Sequence, residues 1–231
     1  MALQDSGMKS QSIIKRVLHS SSWIGLGALA SQGLRLLGNL ILTRLLFPEA
    51  FGLMALVTVF IVGMKMFSDL GIRPWIQKDH RGDDPVFLDT AWTLQVARGV
   101  ILWWLTYVMA WPVANFFNEP LLATILPIAG LELIAAGLMP TRIATAHRHL
   151  QVGRVTQFDL AGQACGLLIT LALAWQLQSV WALVWGSLAG SFVLLILMQF
   201  GLPGHKNRLY WDTKAAAELI SFGKWIFLST I

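Results

Sequence analysis

Apolar runs of about twenty residues, separated by short polar stretches, follow one another along most of this chain. A helix rises about 1.5 Å per residue and the hydrocarbon of a bilayer is about 30 Å thick, so each run is long enough to cross a membrane. The pattern predicts six complete spans, over about 20–46, 50–71, 86–111, 121–139, 158–176 and 180–200. It also predicts the start of a seventh. The stretch 219–231 is apolar but too short for a bilayer, and a half-inserted helix would leave its last carbonyls unsatisfied in hydrocarbon, so further spans are expected to follow. The expected fold is an all-α, polytopic transmembrane helical bundle. It comprises a cytoplasmic segment over 1–19, a six-helix lobe over 20–200, a cytoplasmic loop over 201–216 and a truncated seventh span over 217–231.

Polar positions inside the apolar runs fall on particular faces. In the first run Gln32, Arg35, Asn39 and Thr43 follow at three- and four-residue steps, so all four share one side of a helix. Arg35 sits near the middle of that run. A charged residue at a helix centre costs roughly 2.5–3.5 kcal/mol, so such a residue normally faces protein or a hydrated cavity. The third run repeats the problem with Gln95 and Arg98, the arginine close to mid-membrane on these boundaries. In the second run Thr58, Lys65 and Asp69 share a face, and Lys65 either pairs with Asp69 at i,i+4 or snorkels outwards. The fourth carries Glu132 with Pro127 upstream, where a proline kinks the helix and frees a carbonyl. Asp159, Gln163 and Thr170 make a weaker stripe on the fifth, and Gly186, Gly190, Ser187 and Ser191 give the sixth a small-residue face for close packing. Pro48 is placed to open the second helix, where its missing N–H is no loss, with Glu49 favoured in the first turn by the helix dipole.

Composition supports a membrane protein. The 231 residues are 56% hydrophobic and only 13% charged, with a mean hydropathy of +0.64, whereas about 25% of a soluble domain is charged. The net charge of +5 is spread between apolar runs and forms no continuous basic patch, which argues against nucleic acid. Lys and Arg fall before the first span (Lys9, Lys15, Arg16), between the second and third (Arg73, Lys78, Arg81), between the fourth and fifth (Arg142, Arg148, Arg154) and after the sixth (Lys206, Arg208, Lys214). Among these residues only Arg44 lies near one of the other connections, so the N-terminus and the three basic loops are expected in the cytoplasm. Trp75, Trp103, Trp104, Trp111, Trp175, Trp181 and Trp211 lie near predicted span ends, as an aromatic belt requires. The first run is too long for the core of a cleaved signal peptide, although Ala28-Leu29-Ala30 imitates a cleavage site. Cys165 lies in an apolar run and reads as a small buried hydrophobe. His80, His147, His149 and His205 have no metal-site spacing, so no metal or cofactor is expected, and His147 and His149 read as solvated or at the headgroups.

The stretch Leu40-Ile-Leu-Thr-Arg44-Leu-Leu-Phe-Pro48-Glu-Ala-Phe51-Gly52-Leu, with Leu56, Phe67-Ser-Asp69-Leu-Gly71 and Ile76-Gln77, resembles the N-terminal half of bacterial polysaccharide flippases. These are the Wzx-type, polysaccharide-biosynthesis branch of the multidrug/oligosaccharidyl-lipid/polysaccharide exporter superfamily, and the likeness is nearest to lipopolysaccharide and colanic-acid exporters. It continues through Arg142 to Arg154, Val180-Trp-Ala-Leu-Val184 and Leu219-Ile-Ser-Phe-Gly223. The resemblance implies a non-enzymatic inner-membrane transporter with 12 or more helices in two lobes around a central cavity. It would alternate between inward- and outward-facing states while moving an undecaprenyl-pyrophosphate-linked oligosaccharide. This chain would supply one lobe, and its partners would be the lipid-linked sugar, the bilayer and a second lobe.

The residues themselves fit such a ligand. Arg35, Arg98 and Lys65 outnumber Glu132 within the spans, so a cavity they shared would be net positive. A guanidinium donates two parallel hydrogen bonds to phosphate oxygens, where lysine offers a point charge. The candidate substrate site is therefore Arg35, Arg98, Lys65, Glu132, Asn39 and Gln95, with no catalytic residue. Glu132 either pairs with an arginine when the site is empty or takes part in ion coupling. Asn39, Gln95, Gln32 and Gln163 either bond sugar hydroxyls or hold helices together. A membrane-embedded polymerase or ligase would need positioned acid, base or nucleophile groups, yet the outer connections offer only Arg44, Glu49 and Glu119 as charges. A scaffold without substrate would not require two arginines deep in separate spans.

Overall fold

Proline and aspartate open the two helices that frame the molecule. The computed structural model describes residues 25–67, 71–78, 81–149, 152–219 and 221, and among them every regular element is a helix. Helix α1 covers 25–45, and α2 follows over Pro48–Phe67 with Pro48 first and Glu49 in the opening turn, as expected. The short α3 is Ile72–Lys78. Helix α4 covers Pro85–Phe117; the Asp84 side chain caps it by accepting from the Val86 N–H at 3.2 Å, and Pro85 takes the first position, where its missing N–H costs nothing. Then come α5 (Leu122–Ala129), α6 (Leu131–Gly137), α7 (Arg142–Arg148), α8 (Val152–Leu177) and α9 (Val180–Gly201). After an extended strap over 202–212, α10 covers 213–219. The segment 1–19, the first residues of the first span, Asp69, His80 and the seventh span beyond 221 lie outside the described residues.

Among the described residues four helices, α2, α4, α8 and α9, are long and apolar enough to cross a bilayer, or five crossings if Leu122–Gly137 and Arg142–Arg148, bent by 54°, form one. Helix α1, described only from residue 25, is not in that group. The fourth expected span is not a continuous helix. It breaks at Gly130, whose missing side chain lets Trp103 and Thr106 press in: a Cβ there would lie 3.1 Å from Thr106 Cγ2 and 3.3 Å from Trp103 Cδ1. The break leaves the Pro127 carbonyl for the Trp103 indole N–H, at 3.0 Å. Trp103 therefore turns inward and is no belt residue, whereas Trp104, Trp111, Trp175 and Trp211 are exposed.

Glycine sets how closely the helices approach. A Cβ on Gly99 of α4 would fall 2.7 Å from the Leu133 carbonyl oxygen, and one on Gly137 of α6 would fall 2.9 Å from that of Gln95. Helices α8 and α9 meet through Gly162, Gly166, Gly186 and Gly190 in the same way, so the small-residue face of the sixth run is a packing surface. The main buried cluster joins α2, α4, α5, α6 and α9 around Leu53, Val57, Leu102, Leu126, Leu133 and Val184. A second cluster joins α3, the first turns of α4, α7 and α10 around Ile76, Phe87, Leu88, Ala144 and Leu219. Because this end carries the basic connections, it is the basic end of the bundle.

The strap has no regular structure, yet side chains of α4 satisfy its backbone. Asp89 Oδ1 accepts from the Arg208 N–H at 2.9 Å and from His205 Nε2 at 2.8 Å. Thr93 and Thr90 accept from the N–H groups of Tyr210 and Asp212 at 3.0 and 3.2 Å. Asn207 donates to Thr141 Oγ1 at 2.7 Å, and the Arg81 guanidinium bonds the Glu218 carboxylate of α10.

Candidate functional site

Arg98 projects from α4 towards the last described turn of α2. Its Nη2 donates to the Lys65 carbonyl at 2.8 Å. This puts Arg98 level with the last described turn of α2, towards the basic end of the bundle.

Asp69 lies outside the described residues, and among those described Lys65 meets an acid from another helix. Its ammonium lies 3.7 Å from Glu132 of α6, with the two side chains 39% and 18% exposed; at that distance and exposure the pair contributes at most about 1 kcal/mol. Glu132 thus pairs with a lysine where the sequence suggested an arginine. Gln95 donates to the Ala136 carbonyl at 3.1 Å, and Trp92 to that of Leu138 at 3.3 Å, so both hold α4 against the fourth span. Lys65, Gln95 and Arg98 line a cavity of about 330 Å³, together with Met66, Pro74 and the Gly99–Gly137 crossing.

Arg35 and Asn39 lie elsewhere. They line a cavity of about 440 Å³ between α1, α8 and α9, with Asp159, Gln163, Ser187 and Ser191 as further polar groups and Gly38, Gly162, Gly166, Gly186 and Gly190 among the other lining residues. Among the described residues the two cavities share no lining residue, so Arg35 and Arg98 line separate cavities. Periodicity fixed the face on which each arginine stands, but α1 packs on α8 while α4 packs on α5 and α6. Among the described residues Arg35 has no hydrogen-bond or ion-pair partner, and it is exposed. Nearby, Ser31 donates to Gln163 at 2.7 Å, fixing α1 to α8.

A third group went unnoticed in the sequence. Arg142 is only 4% exposed; its Nη1 donates to the Leu202 carbonyl at 2.7 Å, while Nε and Nη2 are buried without an acceptor. Each such orphan donor costs about 1–3 kcal/mol. Desolvation by burial lowers the Arg142 pKa from its ordinary value, and a guanidinium there remains charged. His149 bonds Asp83 at 3.0 Å, in place of full solvation. The hint in the sequence was a basic residue directly after Pro140-Thr141, at a helix start where a cation is disfavoured. Among the described residues no group of His, Cys, Asp and Glu is arranged to hold a metal ion.

A family model described as polysaccharide biosynthesis protein matches residues 41–231. The lipopolysaccharide biosynthesis protein WzxC of Escherichia coli (strain K12) is similar at 20% identity over 221 residues, covering 95% of this chain and 45% of the relative. The chain therefore spans about half the length of the curated relative it matches. No solved structure matches it. Its several apolar helices and this likeness make the chain a multi-pass membrane protein.

Proposed function

The chain belongs to the polysaccharide biosynthesis protein family, and from that premise we propose that it is one lobe of a flippase. Its substrate is a polyprenyl-pyrophosphate-linked oligosaccharide, carried outward across the bacterial inner membrane. The chain crosses that membrane six times from a cytoplasmic N-terminus, with α1 as the first crossing, and meets a second lobe across its open face. Arg35 carries this reading: a guanidinium on an apolar helix, exposed at a mostly apolar cavity of about 440 Å³ that also holds Asn39, Gln163, Ser187 and Ser191, and without a partner among the described residues. Such a group is costly in hydrocarbon, and an anionic ligand offsets the cost. Arg35 bonds the pyrophosphate, and Asn39 and Gln163 bond sugar hydroxyls. Arg98, Lys65, Glu132 and Gln95 form a separate cationic cluster at the cytoplasmic end, where the lipid-linked phosphate first arrives. The protein makes and breaks no bond in its substrate.

The test is Arg35→Ala in the gene as the organism carries it, following lipid-linked repeat units on each face of the membrane. Loss of a charge-assisted phosphate contact, worth about 1.5–3 kcal/mol, lowers export roughly 10- to 150-fold while synthesis continues. Export unchanged, or no lipid-linked intermediate at all, overturns the assignment.

A further inference from the structure

Where α7, the start of α4, the start of α8 and the strap after α9 meet, a cavity of about 340 Å³ lies apart from both cavities described above. Its lining includes Arg142, Arg154, His149, His205, Thr145 and Asp83. Arg142 is the unusual member: 96% of it is buried, one of its donors holds the Leu202 carbonyl, and two more have no acceptor. Arg154, on the exposed face of α8, has no partner among the described residues either. Among the described residues Asp83 is the only carboxylate in the lining, and it is already engaged, 3.5 Å from Arg148 and 3.0 Å from His149. It therefore leaves the charge of Arg142 and Arg154 uncompensated. Gly204, at φ 127°, carries the strap past this point in a conformation other residues rarely adopt.

Two donors of one planar fork need an acceptor with adjacent oxygens, and a tetrahedral phosphate supplies them. The cavity opens at the basic end of a membrane bundle, the level at which headgroups lie. We propose that this cavity binds a phosphate group, carried by an anionic lipid headgroup or free in solution, with Arg142 as its buried anchor and Arg154 as the second cation. The site does not involve Arg35 or Arg98 and stands whether or not the transport reading holds.

The full chain, purified in neutral detergent, is heated while its tryptophan fluorescence is followed, with inorganic phosphate titrated against chloride at constant ionic strength. In parallel, the chain is placed in phosphatidylcholine nanodiscs with increasing phosphatidylglycerol. A saturable rise in unfolding temperature with inorganic phosphate, its midpoint weakened at least tenfold in Arg154→Gln and abolished in Arg142→Lys, supports the site with free phosphate as ligand. No response to inorganic phosphate but a rise with phosphatidylglycerol that both variants lose supports it with the lipid headgroup as ligand. No rise with either probe, or rises that both variants retain, overturns it. Arg142→Lys keeps a donor for Leu202; if that variant nevertheless fails to fold, an unchanged midpoint in Arg154→Gln overturns the proposal.

Discussion

Replacing Gly99 by alanine adds one methyl group where two helix backbones touch. The new Cβ would sit 2.7 Å from the Leu133 carbonyl oxygen and 3.1 Å from Gly137 Cα, and neither atom belongs to a side chain that can swing away. Ordinary contact begins near 3.4 Å, so α4 and α6 must part by about 0.7 Å, the difference between 3.4 and 2.7. That movement stretches the Gln95–Ala136 bond from 3.1 Å and the Trp92–Leu138 bond from 3.3 Å beyond useful length. Interhelical hydrogen bonds in membranes average about 0.6 kcal/mol each, and overpacking costs about 1–3 kcal/mol. Better helix propensity returns up to about 1 kcal/mol. The net expectation is a destabilisation of roughly 1–3 kcal/mol. Unfolding of the purified chain in detergent, followed by tryptophan fluorescence, measures it. Gly63→Ala on α2 is the internal control, since a Cβ there meets nothing within 4 Å and should be neutral or slightly stabilising. If Gly99→Ala is as stable as Gly63→Ala, the close crossing does not hold α4 in place.

Removing Asp89 with Asp89→Ala deletes the acceptor of two strap bonds at 2.8 and 2.9 Å. At about 1.5 kcal/mol or more each, their loss raises the released fraction of the strap roughly 100-fold, and trypsin should cut after Lys206 or Arg208 correspondingly faster; an unchanged cleavage rate would show that the strap is held by other means. In a Cys165→Ser background, Arg35→Cys should react with a small water-borne thiol reagent if the proposed ligand site is hydrated, because residue 35 is exposed at the mouth of that cavity. Complete protection from both sides of the membrane would place the position in lipid and remove it from any ligand site.

Apolar runs announced the helices because hydrocarbon and helix interiors favour the same residues, and α9 starts and stops within a residue of its expected bounds. Where helices outrun the bilayer, that signal stops. The third run was expected to end at Trp111, yet α4 continues through Pro112 to Phe117, and α8 starts at Val152 within the basic connection. Composition marks the edge of hydrocarbon, whereas hydrogen bonding and caps such as Asp84 mark the end of a helix. The polar positions were legible as faces, but their partners were not. Glu132 reaches Lys65 because α6 lies beside α2 in space, which no local spacing shows. The role of Asp89, Thr90 and Thr93 has no local signal, since nothing near them shows that a segment over a hundred residues later needs acceptors there.

The stitching of residues 205–212 along α4 has a structural result. Ala215, Ala216 and Leu219 of α10 are packed with Ile76, Phe87 and Leu88, and the link that leads to them is fastened to the same helix that bears Gln95 and Arg98. The strap and α10 thus share hydrogen bonds and packing with the first turns of α4, so unfastening one of them exposes polar groups of the other.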